Sequence, residues 1–300
     1  MDICSWIVKQ KVPIGSFRWI DLSNDAFLTT SPESTKGYVL EVDLSYPANL
    51  HDHHSTFIPL APEMIRITKE QLSPYQQWLL ERDTDLSLKY ELVPTFFPKK
   101  NYIVHYRNLQ CYLQHGLKLS KVHRLLEFDQ SHIHSIINSD VANSVDDILI
   151  HVIDDLNYNI IKFTIAEFIE LSTYKLYYDI LYPYYGNKIE LRLIDNDELL
   201  FEIATKDITN DLKVVSSKLD SEELPNIINK YPNDILIEFV GLNSNTYSIL
   251  KLREDRNKCN YGIRRVEGLS KSDSRLQLYC HQEFVDSLFN SIKEYKNSLQ

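Results

Sequence analysis

Between Gly37 and Leu44 the chain reads GYVLEVDL, with Tyr38, Leu40 and Val42 two apart against smaller or polar neighbours. A period of two is that of a half-buried strand, and Tyr46-Pro47 turns the chain after it. Residues 48–98 contain Pro59, Pro62, Pro74, Pro94 and Pro98. Each removes a backbone donor and fixes φ, so this stretch is expected to be loop-rich with short elements. Leu109, Tyr112 and Leu113 fall on one helical face within Asn108–Leu117, with Gly116 as a C-terminal cap, and Leu117–Phe128 reads as extended. A longer helix is predicted over Ile161–Ile180, closed by Pro183 and Gly186, because Ile165, Phe168, Ile169, Leu176 and Ile180 recur at helical spacing.

Ile189, Leu191 and Leu193 then alternate with polar residues, as do Leu199, Phe201 and Ile203. With Asp195-Asn196-Asp197 between them, they predict a β-hairpin bearing two carboxylates at its tip. Lys206–Asn233 reads as polar and loop-rich. Ile235–Leu250 reads as two short strands about Asn243-Ser244-Asn245, and an amphipathic helix bearing Phe284, Val285, Leu288, Phe289 and Ile292 closes the chain. The fold class expected from this order is α+β.

Of the 300 residues, 43% are apolar and 25% charged, which excludes a disordered or fibrous chain. No apolar run approaches the ~18 residues of a membrane span, so no membrane partner is expected. Lys9 and Lys11 interrupt the place of a signal core, and Cys4, Cys111, Cys259 and Cys280 show no C-x-x-C spacing. An intracellular, reducing location follows as the expectation, with neither a zinc knuckle nor a disulfide framework. Among the seven glycines there is no G-x-G-x-x-G and no G-x-x-x-x-G-K-[ST], which argues against a dinucleotide fold or a P-loop.

Charge changes the picture. The net charge is −10, against a chain that coats nucleic acid by charge alone. Yet Leu92–Leu126 holds no Asp or Glu while carrying Lys99, Lys100, Arg107, Lys118, Lys121 and Arg124, a charge of +6. The remainder has 26 basic and 42 acidic residues, a charge of −16. Phe96, Phe97, Tyr102, Tyr106 and Tyr112 are interleaved with the basic residues. Cations neutralise phosphates and aromatic faces stack on bases, so the mixture suits a nucleic-acid groove. A basic surface facing the protein's own acidic parts is the alternative.

Asp195 and Asp197 are explained by turn chemistry, since Asx side chains bond their own backbone. The functional alternative is a hard-oxygen metal site, if Asp43, at the end of its strand, joins them. His51, Asp52, His53 and His54 are dense enough for zinc but have no second cluster, and a solvated loop is expected. Cys111 and Cys280 read as buried small side chains.

GYVLEVDLSYPANLHDHH resembles the first palm motif of B-family DNA polymerases, specifically the protein-primed type of Maverick/Polinton elements and related viruses. LSPYQ (72–76) and Leu92–Ser131 are similar to the segment leading toward the fingers. Ala166–Asp207 resembles the helix and hairpin of the third palm motif, and Ile237–Leu250 the region gripping the primer strand. The resemblance spans most of residues 10–290. It implies nucleotidyl transfer from a deoxynucleoside triphosphate to a primer 3′-hydroxyl on a DNA primer-template. It also implies two Mg²⁺ or Mn²⁺ ions and, for this type, a priming protein. By motif position, Asp43 and Asp197 bridge the metals, Asp195 supports them, and the Leu44 carbonyl is a further ligand. Tyr46 packs under the sugar. Lys99, Lys100, Arg107, Lys118, Lys121, Arg124 and Tyr247 face DNA.

The implied fold is a palm-like antiparallel sheet with helices on one face, with Asp43 and the 195–197 hairpin on adjacent strands. The segments expected are 1–47 with the first motif, 48–131 leading to the fingers, 132–207 with helix and hairpin, and 208–300 as palm remainder or thumb. Between Ser131 and Ile148 the fingers motif, a Lys before Asn-Ser and an aromatic-Gly pair, is missing, which removes the main positive grip on the triphosphate. Asn196, Glu198 and Asn245 replace the usual Thr, Ser and Lys. The 42 residues before Asp43 are too few for an exonuclease domain. A fragment or decayed copy is therefore expected. The alternatives are an inactive nucleic-acid-binding remnant and an acidic protein-interaction adaptor.

Overall fold

A computed structural model of the chain describes residues 3–23, 25–55, 57–82, 90–132, 155–195, 198–221, 224–225, 235–243, 246–252, 262–266, 269 and 273–299. In chain order its first elements are α1 (Ile3–Ile7), β1 (Lys11–Trp19), β2 (Lys36–Ser45), α2 (His51–His54), β3 (Glu63–Arg66), α3 (Pro74–Arg82), β4 (Tyr90–Val93), β5 (Lys99–His105), α4 (Tyr106–Gln114) and β6 (Lys118–His132). After the interval come α5 (Asp155–Tyr174), a π-helical stretch (Lys175–Leu181), α6 (Tyr182–Tyr185), β7 (Ile189–Asp195), β8 (Glu198–Ile203) and α7 (Ile208–Ser221). The last elements are β9 (Ile235–Asn243), β10 (Thr246–Leu252), β11 (Gly262–Arg265) and α8 (His281–Ser298). The architecture is α+β, and the strand pairs of both larger sheets are antiparallel. Among the described residues no helix is long and apolar enough to cross a membrane.

The chain divides into two compact units, each assembled from three stretches rather than from consecutive segments. The first comprises Met1–Glu63, Pro94–Glu190 and Glu202–Ile228; the second comprises Met64–Val93, Leu191–Phe201 and Asn229–Gln300. The first unit is built on a sheet of order β1-β6-β2-β5. Its central strand follows the expected alternation, with Tyr38, Leu40, Val42 and Leu44 all buried. Burying each side chain of that kind contributes about 1.5–3 kcal/mol before entropy is counted. Gly37 lies opposite Phe128 on β6, and a Cβ there would come within 2.4 Å of that ring, so only glycine allows this pairing.

The amphipathic pattern of α4 places Leu109, Cys111 and Tyr112 in the core, and Gly116, with φ +98°, turns the chain as expected of its cap. On α5, Ile161, Ile165, Phe168 and Leu171 are buried. Pro183 does not stop this helix. It sits in the first turn of α6, where a missing N–H costs little, and the chain leaves the helix at Gly186 with φ +57°. Between α5 and α6 the turns widen into the π-helical stretch. There Phe57 stacks on Tyr177 at 3.9 Å between centroids, while the Tyr174 and Tyr178 hydroxyls donate to the Pro59 and Ile58 carbonyls. Widened turns of this kind persist where side-chain contacts hold them.

The 206–233 region differs from its loop-rich reading. Leu212, Val215 and Leu219 share one face of α7, and the last two are fully buried. In the second unit, β11-β10-β9 form the sheet, and α8 buries His281 and Phe284. Phe289 is exposed, so the apolar stripe expected of the last helix is only partly used. Tyr75, Trp78 and Tyr295 gather within 6.0 Å of one another.

Candidate functional site

Asp43 stands on the side of β2 opposite Val42 and Leu44, because side chains alternate along a strand. A register shift between Val42 and Leu44 on the β5 side interrupts the ladder at this residue. Asn101, across from it, adopts the left-handed conformation with φ +50°. Asparagine tolerates that conformation better than most residues. The bend aims the Asn101 N–H at Asp43 Oδ1 at 3.0 Å, and places Lys100 Nζ 3.0 Å from Oδ2. From β6, His123 Nε2 lies 2.9 Å from Oδ1. The Asn101 N–H, then His123, then Lys100 hold the Asp43 carboxyl well below the usual carboxylate range. Asp43 is thus an anion over the whole working range of pH, with both oxygens engaged.

The basic stretch does not act as one surface. Lys99 is buried and its ammonium bonds Glu63 at 2.8 Å and the Thr95 carbonyl and hydroxyl at 3.1 and 2.6 Å. Burial lowers its pKa against the opposing pull of Glu63. Arg107 donates to Gln10 Oε1 at 2.9 Å and lies 4.7 Å over the Phe168 ring, with burial lowering its pKa too. These two, expected on DNA, are committed to the protein's own interior, as charges that cannot be left dry and unpaired must be. Lys100, Lys118, Lys121 and Arg124 face solvent. Arg124 pairs with Glu41 and lies 5.5 Å from the ring of the exposed Trp19. Register along β6 sets Lys118 opposite Ser45, Lys121 opposite Asp43 and Arg124 opposite Glu41.

Tyr46 is buried rather than open. Its hydroxyl lies 2.5 Å from His54 Nδ1 and accepts the Leu60 N–H at 3.2 Å, and Phe96 packs edge-on at 5.0 Å. Burial pushes Tyr46 up to about 12 and His54 down to about 4, so both are neutral at pH 7. The HDHH run is therefore not a solvated loop. His51 stacks on Phe96 and His53 packs on Tyr182, imidazoles serving as aromatic packing partners. Cys111 is buried as expected, its thiol pushed up to about 12. A second acidic group escaped the sequence reading altogether. Glu167 accepts the His105 N–H at 3.0 Å, and Glu170, one turn later, accepts the Tyr112 hydroxyl at 2.5 Å. Burial raises both carboxyls.

The hairpin forms as β7 and β8 in a two-stranded sheet of its own. Both edges of β2 are taken by β5 and β6, so Asp43 and the hairpin are not on adjacent strands, contrary to expectation. Asp195 ends β7, while Asp197 and the fingers interval from residue 133 lie outside the described residues. Tyr247 is buried within β10, opposite Gly241 and Arg265, rather than presented to DNA. Leu44 is buried, with strands paired on both sides of it.

No family model, no curated protein and no solved structure matches this chain.

Whether a divalent cation suits these residues is a matter of donor chemistry. Among the described residues no group of three or more His, Cys, Asp or Glu side chains converges to cage one. Both oxygens of Asp43 are engaged, Oδ2 by the Lys100 ammonium and Oδ1 by the Asn101 N–H and His123. One carboxylate among cationic and N–H donors does not by itself fit a divalent cation, which asks for several oxygen ligands.

Proposed function

We propose that the chain is a DNA-binding polymerase palm of the protein-primed B-family type, with primer extension that is feeble in this chain alone. One observation carries the reading. β6 brings Lys118, Lys121 and Arg124 alongside the strand that bears Asp43, so an anionic backbone laid on those cations passes beside the carboxylate of the first motif. The helix and hairpin that follow, α5 to β8, come in the order of the palm. The resemblance gives Asp43, Asp195 and Asp197 to divalent cations that would activate a primer 3′-hydroxyl and stabilise departing pyrophosphate, while among the described residues no cage for such ions forms. Lys118, Lys121 and Arg124 would hold phosphates. Without the fingers lysine the triphosphate is poorly aligned, and each ~1.4 kcal/mol of lost positioning is tenfold in rate.

A second reading, a nucleic-acid-binding remnant without catalysis, is favoured by the full engagement of both Asp43 oxygens. Affinity for primed single-stranded DNA is expected to fall steeply with salt. Charge reversal of Lys118, Lys121 and Arg124 together should flatten the plot of log affinity against log salt by about 2. Binding unchanged by that triple reversal defeats both readings, and the absence of any DNA affinity favours the acidic adaptor. Primer extension with Mg²⁺ or Mn²⁺ against Asp197→Ala then separates the two. Weak extension that disappears in the control supports the polymerase reading, robust extension that does so shows that the missing fingers lysine costs less than argued, and none in either protein shows a remnant.

A further inference from the structure

Resting on the reading of the β6 cations as phosphate ligands, we infer that Trp19 and Arg124 form a stacking platform for an unpaired base, so that the strand laid on β6 is single-stranded nucleic acid. The register of β6 carries the first part of the argument. Residues three apart on a regular strand point to opposite faces, and Lys118, Lys121 and Arg124 are three apart. Against β2, however, β6 shifts register between Glu41 and Val42 and again between Asp43 and Leu44. Each shift takes up one extra residue of β6, as a bulge does, so the three cations come opposite Ser45, Asp43 and Glu41, alternate residues of β2. They share the face turned away from the buried Leu40, Val42 and Leu44, at intervals of about 7 Å. That is the scale of one nucleotide step along a phosphate backbone. The carboxylates beside them are already engaged, Glu41 by Arg124 and Asp43 by Lys100, His123 and the Asn101 N–H. With Lys100, four cations stand here beside two carboxylates.

Trp19 closes the row. It ends β1, paired with Leu126, which itself lies opposite Val39 of β2, so by the same alternation its indole stands on the cationic face. The Arg124 guanidinium lies over that indole, 5.5 Å from the ring centroid. Tryptophan is a highly buried residue on average, as Trp6 is here, yet Trp19 is 63% exposed. Arg124, tied to Glu41, steadies the ring from one side and leaves the rest of it open to solvent. An open aromatic face stacks on a base while neighbouring cations hold the phosphates, which is how single strands are bound without sequence preference. In a duplex each base face is covered by the next base pair. The indole therefore distinguishes unpaired from paired nucleic acid, a distinction that the lysines alone do not make.

Fluorescence-anisotropy titration of the intact chain with labelled oligothymidylate, and with the duplex it forms with oligoadenylate, tests this without recourse to activity. Trp19→Ala is expected to weaken single-strand binding roughly tenfold. Duplex binding and the slope of log affinity against log salt should stay as in the parent, since no phosphate contact is lost. Trp19→Phe keeps an aromatic face and is expected within about threefold of the parent. Both variants should melt close to the parent, because the side chain they replace is largely exposed. Single-strand affinity of Trp19→Ala equal to the parent's overturns the inference. So does an equal loss for single strand and duplex, or a Trp19→Phe variant as weak as Trp19→Ala. Salt-dependent binding by the parent that Trp19→Ala leaves undisturbed means that the inference alone has failed. Absence of binding by the parent to either oligonucleotide means that the function reading has failed and the inference with it.

Discussion

Asp43 and the Glu167–Glu170 pair both belong to the first unit and both are sheltered from water, yet their charges are handled in opposite ways. Asp43 faces an ammonium, an imidazole and a backbone N–H, and its carboxyl is held far down. Glu167 faces the His105 N–H, and Glu170 the Tyr112 hydroxyl with Tyr174 beside it; Tyr102 of β5 completes the surround. None of those donors brings a positive charge, and the two glutamates repel each other when ionised, so burial dominates and raises them. The difference lies in the number of donors and the depth of burial: three donors, the neutral Asn101 N–H foremost, act on Asp43, whereas for the more deeply buried glutamates burial outweighs the few hydrogen bonds they accept.

The largest test of that contrast is Glu170→Gln. A carboxyl raised on folding is deprotonated first in the unfolded chain, so its stability contribution is lost as pH rises from the unfolded pKa through the folded one. Glu170→Gln is therefore expected to be more stable than the parent by roughly 1–3 kcal/mol at pH 8 and level with it at pH 4. Denaturant melts across that range check this, and a difference that does not change with pH breaks the comparison. Asp43→Asn should show the reverse sign. Its depressed carboxyl stabilises the fold above the unfolded pKa, so the variant melts lower at pH 7, and the deficit shrinks as pH falls below about 4. A variant as stable as the parent at pH 7 would mean that the three donors only replace water. The smallest effect is expected at the surface. Arg124→Ala removes a charged donor from Glu41 in an exposed setting, with an expected cost of at most about 1 kcal/mol that fades in 1 M salt. A larger, salt-insensitive loss would show that donor charge matters without shelter.

Much of the frame was legible from periodicity. The strand at 37–44, the helix around 108–117, the extended run from Leu117 and the strands of 189–203 and 235–250 all appear, because alternation and turn residues are local signals. The α7 helix was hidden, since its five apolar residues in fourteen, Ile208, Leu212, Val214, Val215 and Leu219, are dispersed among polar neighbours. The site was less legible. Composition could count six cations in one stretch but could not tell which were inward, because that depends on strand parity and on partners far away in sequence, such as Glu63 for Lys99 and Gln10 for Arg107. The pairing of Asp43 with His123 likewise needed the β2–β6 register, and the aromatic packing of HDHH needed Phe96 and Tyr182 brought alongside. In Glu167 and Glu170 the signal was present but weak, two acidic residues among the apolar positions of a helix that was expected to be buried.

Lys99 and Lys100 are identical neighbours with opposite employment, and the only thing that distinguishes them is odd or even count along β5. Such a strand behaves like a reading frame of period two. Exchanging Lys for Arg at either place leaves the frame intact, whereas losing or gaining a single residue between Thr95 and Lys99 would swap the two, sending the exposed lysine into the core and the core lysine to water. The register shift at Asp43 takes up Lys100 and Asn101 together, beyond Lys99. For the history of such a gene this means that β5 tolerates substitutions far better than it tolerates indels, and that the spacing from Glu63 and Thr95 to Lys99 is under tighter constraint than the identity of most residues in between.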